Sequence, residues 1–382
     1  MKKYLLLMFL ILVLSYSSLF SCTVFYYANG KIVLGGNSED WSDPFSRIWF
    51  LPAEEKSHGR VYFGFREGGY MGGMNDQGLF FDGLATDVLK VTLSANKETY
   101  QGDLIDKVMS ECSSVDEVLA VFDKYNLQFM ERVMFFFGDK KGNSAIIEGD
   151  VVIRKKGNFQ ICTNFYQSQF EPGSITDRRY KRAEKIFKDN DDITLDVFRK
   201  IFAATHQEGQ YPTQYSNIYD LKNGLIYIYH FHNYENVVVL NLSEELEKGK
   251  HTYDLASLFP ETFAAEAYKQ PIQDDIEKRK AERQIANIDQ KTYDLYVGEY
   301  EIDPAVLPGY TVTVDKEDDK LYMQMQFLDR TEIFPESETQ FFFVGIDEVV
   351  EIQFTKNETE STPRMVIKMF GMEMPAEKIK QH

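Results

Sequence analysis

The sequence predicts an α+β protein in two parts, a long N-terminal region that mixes strands with helices and a small all-β module. Three observations support this. Short strand-like runs recur across residues 22–240 and are interrupted by amphipathic helical patterns. A mixed-charge helical stretch follows Pro271. Beyond Leu295, short strands recur with turns between them, which is typical of a sandwich or barrel. The predicted divisions are a signal peptide at 1–21, a main domain at 22–270, a helical linker at 271–292 and a β domain at 293–382.

Composition narrows the class of protein. The chain has 382 residues, of which 43% are hydrophobic, including 30 Phe and 23 Tyr, so large packed cores are expected. The formal net charge of -18 leaves no basic surplus to neutralise phosphates. Nucleic acid is therefore not an expected partner, and no cofactor is indicated.

The first 21 residues have the pattern of a secretory signal. Lys2 and Lys3 precede an apolar run at 4–14, which is short for a membrane span, and residues 15–21 are small and polar. An uncleaved membrane anchor is the alternative. The signal predicts a secreted or periplasmic protein.

The N-terminal region is expected to begin with a hairpin. Residues 22–51 are predicted as two strands with a turn at Asn29-Gly30, and another strand is predicted at 61–66. Residues 68–79 are rich in glycine but lack Gly-Lys-Ser/Thr, so close approach of neighbouring backbones explains them better than a phosphate site.

Further elements follow along the chain. Two helices are expected within 99–125, divided by a capping box from Ser114 to Glu117. Later helices are predicted at 177–188 and 195–205, and a solvated connecting helix at 272–290. The remaining predicted strands are 133–138, 144–148, 151–154, 159–163, 215–219, 225–231 and 236–240, then 298–302, 311–314, 320–326, 341–344, 349–354 and 364–369.

Cys22 is the residue that a signal-peptide cut would expose. An N-terminal cysteine carries a thiol with a pKa near ~8.5 and an α-amine with a pKa near ~7.7–8, so the amine can accept the thiol proton without a separate histidine. Donors directed at the developing oxyanion would then supply much of the rate.

Five motifs resemble one family in the family's own order. They are Cys22-Thr23 with Gly36-Asn37-Ser38-Glu39-Asp40-Trp41, then Gly73-Met74-Asn75-Asp76-Gln77-Gly78-Leu79 with Gly83-Leu84-Ala85, then Phe137-Gly138-Asp139 leading to Ile146-Ile147-Glu148, then Cys162-Thr163-Asn164, and finally Asp177-Arg178-Arg179-Tyr180. Together they resemble N-terminal-nucleophile (Ntn) hydrolases of the choloylglycine hydrolase, penicillin V acylase and isopenicillin N acyltransferase group. The resemblance covers roughly residues 22–240 and implies a four-layer αββα sandwich that cleaves linear amides.

The resemblance also implies the site. Cys22 is expected to be the nucleophile and Asp40 to position its amine. Asn164 would donate its side-chain amide to the oxyanion, with the backbone N–H of Ala85 as second donor. Arg179 would be the family's arginine, although a one-residue shift would assign this position to Arg178. Predicted substrate-binding residues are Asn37, Asn75, Phe81, Phe165 and Tyr215.

One departure concerns substrate. The family's arginine between Gly and Asn in the opening motif is replaced here by Asn37, or by Gly36 if a residue is inserted. Bile salts and penicillin V are therefore disfavoured, and the acyltransferase-like branch is favoured. Small-molecule N-acyl amides with an apolar acyl chain are the expected substrates, since aromatic residues lie near the motifs, and acyl transfer to another amine stays open beside hydrolysis.

A second interpretation of Cys22 excludes the first. Leu19-Phe20-Ser21-Cys22 approximates a lipobox, and lipidation would block both the thiol and the amine. The protein would then be a lipid-anchored periplasmic or surface binding protein. Phe20 is unusual in that motif, and the chain enters a strand directly after Cys22, which favours a free cysteine.

The remaining reactive residues are assigned no catalytic role. His230 and His232 are predicted to share one face of a strand, but no third ligand at suitable spacing is evident, so no metal site is predicted. Cys112 and Cys162 are the one pair left once Cys22 is set aside, and the sequence leaves their pairing open. The C-terminal module resembles a small β domain often appended to hydrolases, opening at Leu295-Tyr296-Val297-Gly298-Glu299-Tyr300.

Overall fold

The computed structural model describes residues 22–171, 173–307, 309–325, 328–357, 360–369 and 371–379. The predicted signal peptide at 1–21 lies outside the described residues. The chain divides into two compact units. Of the described residues, those up to 64 form one unit with 70–98 and 107–260, and those at 65–69, 99–106 and from 261 onward form the other.

The first unit is built on two sheets. Its strands are β1 (Thr23–Ala28), β2 (Val33–Asp40), β3 (Ser46–Leu51), β4 (Arg60–Phe65), β5 (Gly69–Asn75), β6 (Leu79–Ala85), β7 (Val133–Asp139), β8 (Ser144–Glu148), β9 (Val151–Arg154), β10 (Phe159–Thr163), β11 (Thr213–Asp220), β12 (Leu225–His230), β13 (Asn233–Asn241) and β14 (His251–Asp254). A six-stranded sheet has the order β10-β1-β2-β11-β12-β13, and an eight-stranded sheet has the order β14-β3-β4-β5-β6-β7-β8-β9.

Helices accompany these sheets. They are α1 (Leu104–Glu111), α2 (Val115–Phe122), α3 (Arg178–Asp189), α4 (Leu195–Thr205) and α5 (Leu242–Glu247). The side chain of Ser114 caps α2 as predicted, accepting from the backbone N–H of Glu117. The chain from Cys22 to Leu51 forms three strands, not the two that were predicted, because a break at residues 41–45 separates β2 from β3.

Aromatic side chains hold the layers together. Tyr26 and Phe136 face each other between the sheets at 6.5 Å, as do Phe80 and Tyr219 at 5.0 Å. The outer face of the six-stranded sheet packs on α3 and α4, where the ring of Phe25 contacts the phenylalanines at 187, 198 and 202. The outer face of the eight-stranded sheet packs on α2. The predicted four-layer αββα arrangement is confirmed.

The second unit contains the predicted β module, which is a closed barrel. Its strands are β15 (Gly298–Ile302), β16 (Thr311–Glu317), β17 (Lys320–Met325), β18 (Thr331–Pro335), β19 (Gln340–Val344), β20 (Val349–Asn357), β21 (Glu360–Met369) and β22 (Met372–Lys378). β15 pairs with β22 and closes the barrel. Asp318 and Asp319 both have positive φ in the turn between β16 and β17, the conformation that a two-residue hairpin turn requires.

Two further helices, α6 (Phe263–Ala281) and α7 (Lys291–Tyr296), precede the barrel. The connecting helix was predicted at 272–290, but α6 begins nine residues before that, capped by the side chain of Thr262, and contains Pro271. The described part of the chain contains no helix with the length and hydropathy that a membrane span requires.

Candidate active site

Cys22 lies directly before β1 and is only 6% exposed. The pairing of β1 with β2 sets Thr23 opposite Ser38, so the next step of the antiparallel register brings Cys22 towards Glu39. The Cys22 thiol donates a hydrogen bond to Glu39 Oε2 over 3.3 Å. The register of the first two strands therefore places a carboxyl group beside the thiol.

Glu39 belongs to a buried acidic pair. Asn37 and Glu39 are two residues apart on β2 and project from the same face of the strand, while Asp82 projects from β6 in the other sheet. Asn37 Nδ2 donates to Glu39 Oε1 at 2.9 Å and to Asp82 Oδ1 at 3.1 Å. Among the described residues, Asp82 Oδ2 and Asn37 Oδ1 have no hydrogen-bond partner. We name Asn37, Glu39 and Asp82 the acidic cluster.

Burial dominates the electrostatics here. It raises the pKa of Asp82 well above its usual range, and the charge of Glu39 raises this pKa further. Burial also raises the pKa of Glu39, against hydrogen bonds from its neighbours that lower it. For the Cys22 thiol, burial raises the pKa and three nearby carboxyl groups, those of Glu39, Asp40 and Asp82, raise it further. Burial among these carboxyl groups therefore favours the protonated thiol.

Arg179 links Cys22 to Asn164. Its Nη1 donates to the Cys22 carbonyl oxygen over 2.6 Å and to Asn164 Oδ1 over 3.3 Å, and Nη2 also reaches Asn164 Oδ1 at 3.3 Å. Asn164 Nδ2 in turn donates to the Ala85 carbonyl over 2.8 Å. Arg178 is exposed, whereas Arg179 is buried. The sequence left Arg178 and Arg179 as alternatives for the family's arginine, and the structure places Arg179 against Cys22.

The cap of α3 explains this placement. Asp177 is the N-cap residue, and its Oδ1 accepts from the backbone N–H of Tyr180 at 2.8 Å. The same oxygen accepts from the hydroxyl of Thr163 at the end of β10, at 3.1 Å. Two of the sequence motifs are therefore joined, and the first turn of α3 presents Arg179 to the start of β1.

Asp40 also lies next to the thiol. The hydroxyl of Thr213 donates to Asp40 Oδ1, and the backbone N–H of Asp40 hydrogen-bonds to the sulfur of Cys22 and lowers the pKa of the thiol. Burial raises the pKa of Asp40, while the Thr213 hydroxyl and the charge of Arg179 lower it.

The predicted substrate-binding residues divide into two groups. Asn37 lies in the acidic cluster, and Tyr215 on β11 pairs with Glu39 across the strands and is fully buried. Phe165 follows Asn164 directly and is half-buried, with its ring 5.1 Å from that of Phe170.

Asn75 and Phe81 are not brought to Cys22. Asn75 Nδ2 donates to the carbonyls of Met109 and Cys112, both at 2.8 Å, so this amide anchors the β5–β6 turn to the end of α1. Phe81 projects from the opposite face of β6 to Asp82, because side chains alternate along a strand, and it packs on Tyr62, Tyr70 and Phe137.

Glu39 and Asp82 were not predicted as site residues, although Glu39 belongs to the quoted opening motif. One signal for Asp82 was present, a carboxyl group inside the apolar run from Leu79 to Leu84. Its hydrogen bond with Asn37 on β2 depends on how the two sheets pack, which strand patterns do not specify.

Two expectations about other reactive residues are settled. His230 ends β12 and His232 lies in the turn that follows, where Phe231 has φ +53°, so the prediction that both share one face of a strand is wrong. Cys112 and Cys162 are both buried and free, and no bridge joins them.

Three comparisons relate this chain to known proteins. A family described as a domain of unknown function, DUF3471, matches residues 282–381. Penicillin-binding protein 4* of Bacillus subtilis (strain 168) is 34% identical over 84 residues, which are 22% of this chain and 17% of that protein. The chain therefore matches about a sixth of that relative's length.

Solved structures of similar fold include two of conjugated bile acid hydrolase from Clostridium perfringens, each of a form with a single substitution. One has 16% identity over 61% of this chain and 96% of that one, with a TM-score of 0.47. The other has 15% identity over 63% and 99%, with a TM-score of 0.49. Penicillin V acylase from Agrobacterium tumefaciens has 16% identity over 61% and 91%, with a TM-score of 0.45.

Proposed function

We propose that this protein is an exported hydrolase of linear amide bonds and that Cys22, exposed by cleavage after Ser21, is its nucleophile. One observation carries the proposal. Arg179 joins the Cys22 carbonyl to the Asn164 amide, so a buried thiol and a side-chain donor occupy one site. The five motifs of the sequence resemblance support it independently.

The carboxyl groups around Cys22 favour this activation. A free α-amine at residue 22 would lie beside Asp40, whose backbone and carboxyl group are next to the sulfur. Nearby negative charge raises the pKa of an amine and makes it a stronger base, so it can take the thiol proton and leave a thiolate–ammonium pair. The same carboxylates that keep the thiol neutral in the uncleaved chain would thus stabilise the ammonium.

In the reaction, the Cys22 thiolate attacks the amide carbonyl carbon and the carbonyl oxygen becomes an oxyanion. The second N–H of the Asn164 amide and the backbone N–H of Ala85 donate to this oxyanion. The C–N bond then breaks, the leaving amine takes the proton from the α-ammonium, and a thioester remains on Cys22. Water resolves it, which releases the carboxylic acid and restores the thiol; an incoming amine would give acyl transfer.

We propose N-acyl compounds with an apolar acyl chain as substrates. Phe165 is half-buried next to Asn164 and forms an aromatic pair with Phe170, which suits an apolar chain close to the scissile bond. Comparable turnover of penicillin V or conjugated bile salts would contradict this preference.

The alternative is a lipid-anchored binding protein with a diacylglyceryl group on Cys22. In that case two acyl chains attached to the sulfur would have to reach the membrane. Cys22 is only 6% exposed, and its thiol is hydrogen-bonded to Glu39. Burial therefore supports the free thiol.

The test is intact mass and N-terminal sequencing of the exported protein, followed by hydrolysis assays of N-acyl amino acids. We expect a chain that starts at unmodified Cys22 and loses activity in Cys22→Ala, while Cys112→Ala keeps it. A mass increased by a lipid would instead identify the binding protein, and a start at any other residue would exclude both interpretations.

A further inference from the structure

Three side chains with metal-binding atoms meet away from Cys22. His206 follows α4, Glu208 lies in the loop that leads to β11, and His232 lies in the turn between β12 and β13. One ligand atom from each residue lies within 4.8 Å of the others. Two imidazoles and a carboxylate form a ligand set that occurs in zinc proteins.

His206 is oriented for this role by the helix that precedes it. Its Nδ1 lies 2.8 Å from the carbonyl oxygen of Ala203. Since a carbonyl only accepts, Nδ1 donates to it, which leaves Nε2 as the atom available to a metal, the arrangement that commonly fixes a metal-binding histidine. Nε2 lies 3.3 Å from Glu208 Oε1. Because a carboxylate also only accepts, this contact is made by a proton on Nε2, which a metal ion would replace. Two ligands bound at 2.0–2.1 Å to a tetrahedral metal are also separated by about 3.3 Å.

His232 supplies the third atom. Its Nε2 is buried and has no hydrogen-bond partner within the described ranges of the chain. The ring lies 4.9 Å from that of His206 and is stacked on Phe231 at 4.2 Å. A buried ring nitrogen without a partner is costly and rare in a folded protein, and a metal ion would satisfy it.

We propose that His206, Glu208 and His232 bind one divalent transition-metal ion, with Zn²⁺ as the expected occupant. Imidazole nitrogen with one carboxylate suits Zn²⁺, and three protein ligands leave a fourth position for water. Closing the three ligands around an ion would require side-chain rotations, and Glu208 is exposed and able to move.

The ion would link the loop that leads to β11 with the turn between β12 and β13. Between the first two ligands, the backbone N–H of Gln207 donates to Thr213 Oγ1 at 2.9 Å, and the N–H of Thr213 donates back to the Gln207 carbonyl at 3.1 Å. The hydroxyl of Thr213 also donates to Asp40. Metal binding would therefore brace the loop behind Asp40 and stabilise the folded chain.

The test is Zn²⁺ binding by calorimetry and metal analysis on untagged protein freed of metal by a chelator. We expect one Zn²⁺ per chain and a melting temperature that rises with Zn²⁺. Because Cys22 also offers a thiol, Cys22→Ala is measured in parallel and should retain this ion. Substitution of Co²⁺ should give the intense visible absorption of a tetrahedral site.

Two variants and a control assign the ligands. Glu208→Gln changes an exposed side chain and should fold. Glu208→Gln and His232→Asn should each weaken Zn²⁺ binding by about tenfold or more. His58→Asn removes a histidine outside the cluster and should leave binding unchanged. Absence of saturable binding in the wild type, or binding that survives Glu208→Gln unchanged, would overturn the proposal.

Discussion

Asp82 has no exposed surface, and its second carboxyl oxygen lacks a hydrogen-bond partner in the part of the chain that the structure describes. Its pKa is raised by burial and then by Glu39. The folded chain therefore holds the proton more tightly than the unfolded chain, and stability falls as the pH rises from the unfolded pKa of ~3.9 towards the raised folded value.

Asp82→Asn should accordingly stabilise the protein at neutral pH, by an amount on the order of 1 kcal/mol. The asparagine keeps an acceptor for Asn37 and removes the charge. The gain should shrink as the pH approaches ~4, where the carboxyl group is already protonated. Urea unfolding of both proteins at about pH 7.5 and about pH 4.5 measures this, with the exposed Asp191→Asn as control. A loss of stability at the higher pH would show that the charge is compensated.

Arg179 is the residue on which the proposed geometry depends most directly. It donates to the Cys22 carbonyl and twice to Asn164, a pattern that uses the planar guanidinium fork. Arg179→Lys keeps the charge but cannot make both contacts, so we expect kcat/KM for an N-acyl amide to fall by about 10²-fold with a folded protein.

Arg178→Lys is the matched control for that prediction, since Arg178 is the adjacent but exposed residue. Its kcat/KM should stay near that of the wild type. Equal losses in the two variants would assign the effect to the start of α3 in general, and no loss in Arg179→Lys would remove the arginine from the proposed site.

At the scale of elements, local patterns predicted some boundaries closely and missed others for identifiable reasons. α4 was predicted at 195–205 and lies there, because its apolar face has helical spacing and buries Phe198, Ile201 and Phe202. β22 was missed because it contains Pro375 and exposed charges, features that argue against a strand. β22 is a strand because it pairs with β15 and β21 and so closes the barrel.

The glycine-rich segment was explained as a place of close backbone approach, and this is confirmed at Gly73. A Cβ there would lie 2.2 Å from the carbonyl oxygen of Val61 on the neighbouring strand β4. Gly73→Ala should therefore force β4 and β5 apart and lower the free energy of unfolding by about 2–3 kcal/mol, the usual cost of overpacking.

Gly83→Ala provides the comparison in the same sheet. A Cβ at Gly83 would meet the ring of Phe135 at 3.3 Å, and this side chain can shift slightly. Chemical unfolding of both variants should show the larger loss at Gly73. A loss at Gly83 as large as that at Gly73 would mean that contact with backbone is not what restricts the segment.

At the scale of the whole molecule, the candidate site joins segments that are far apart in the chain. Cys22, Asp40, Asn164 and Arg179 were named from motifs, and the structure brings them together at the start of β1. The acidic pair was missed because Glu39 and Asp82 lie 43 positions apart, on strands of different sheets. Sequence patterns specify the faces of strands but not the partner across the sandwich.

The core of the barrel contains an aromatic cluster around Phe354. Phe354 has no exposed surface, stacks on Tyr296 at 4.0 Å between ring centroids and meets Phe341 edge-on at 5.5 Å. Phe354→Ala should lower the free energy of unfolding of this unit by about 3–5 kcal/mol, since it removes buried apolar area and leaves a cavity. Met372→Ala in β22 removes a side chain that is 49% exposed and should cost less than about 1 kcal/mol. Hydrogen exchange of the barrel amides at increasing denaturant concentrations measures the stability of this unit in each variant. Equal protection in both would mean that the strand ladder, and not this cluster, sets the stability of the barrel.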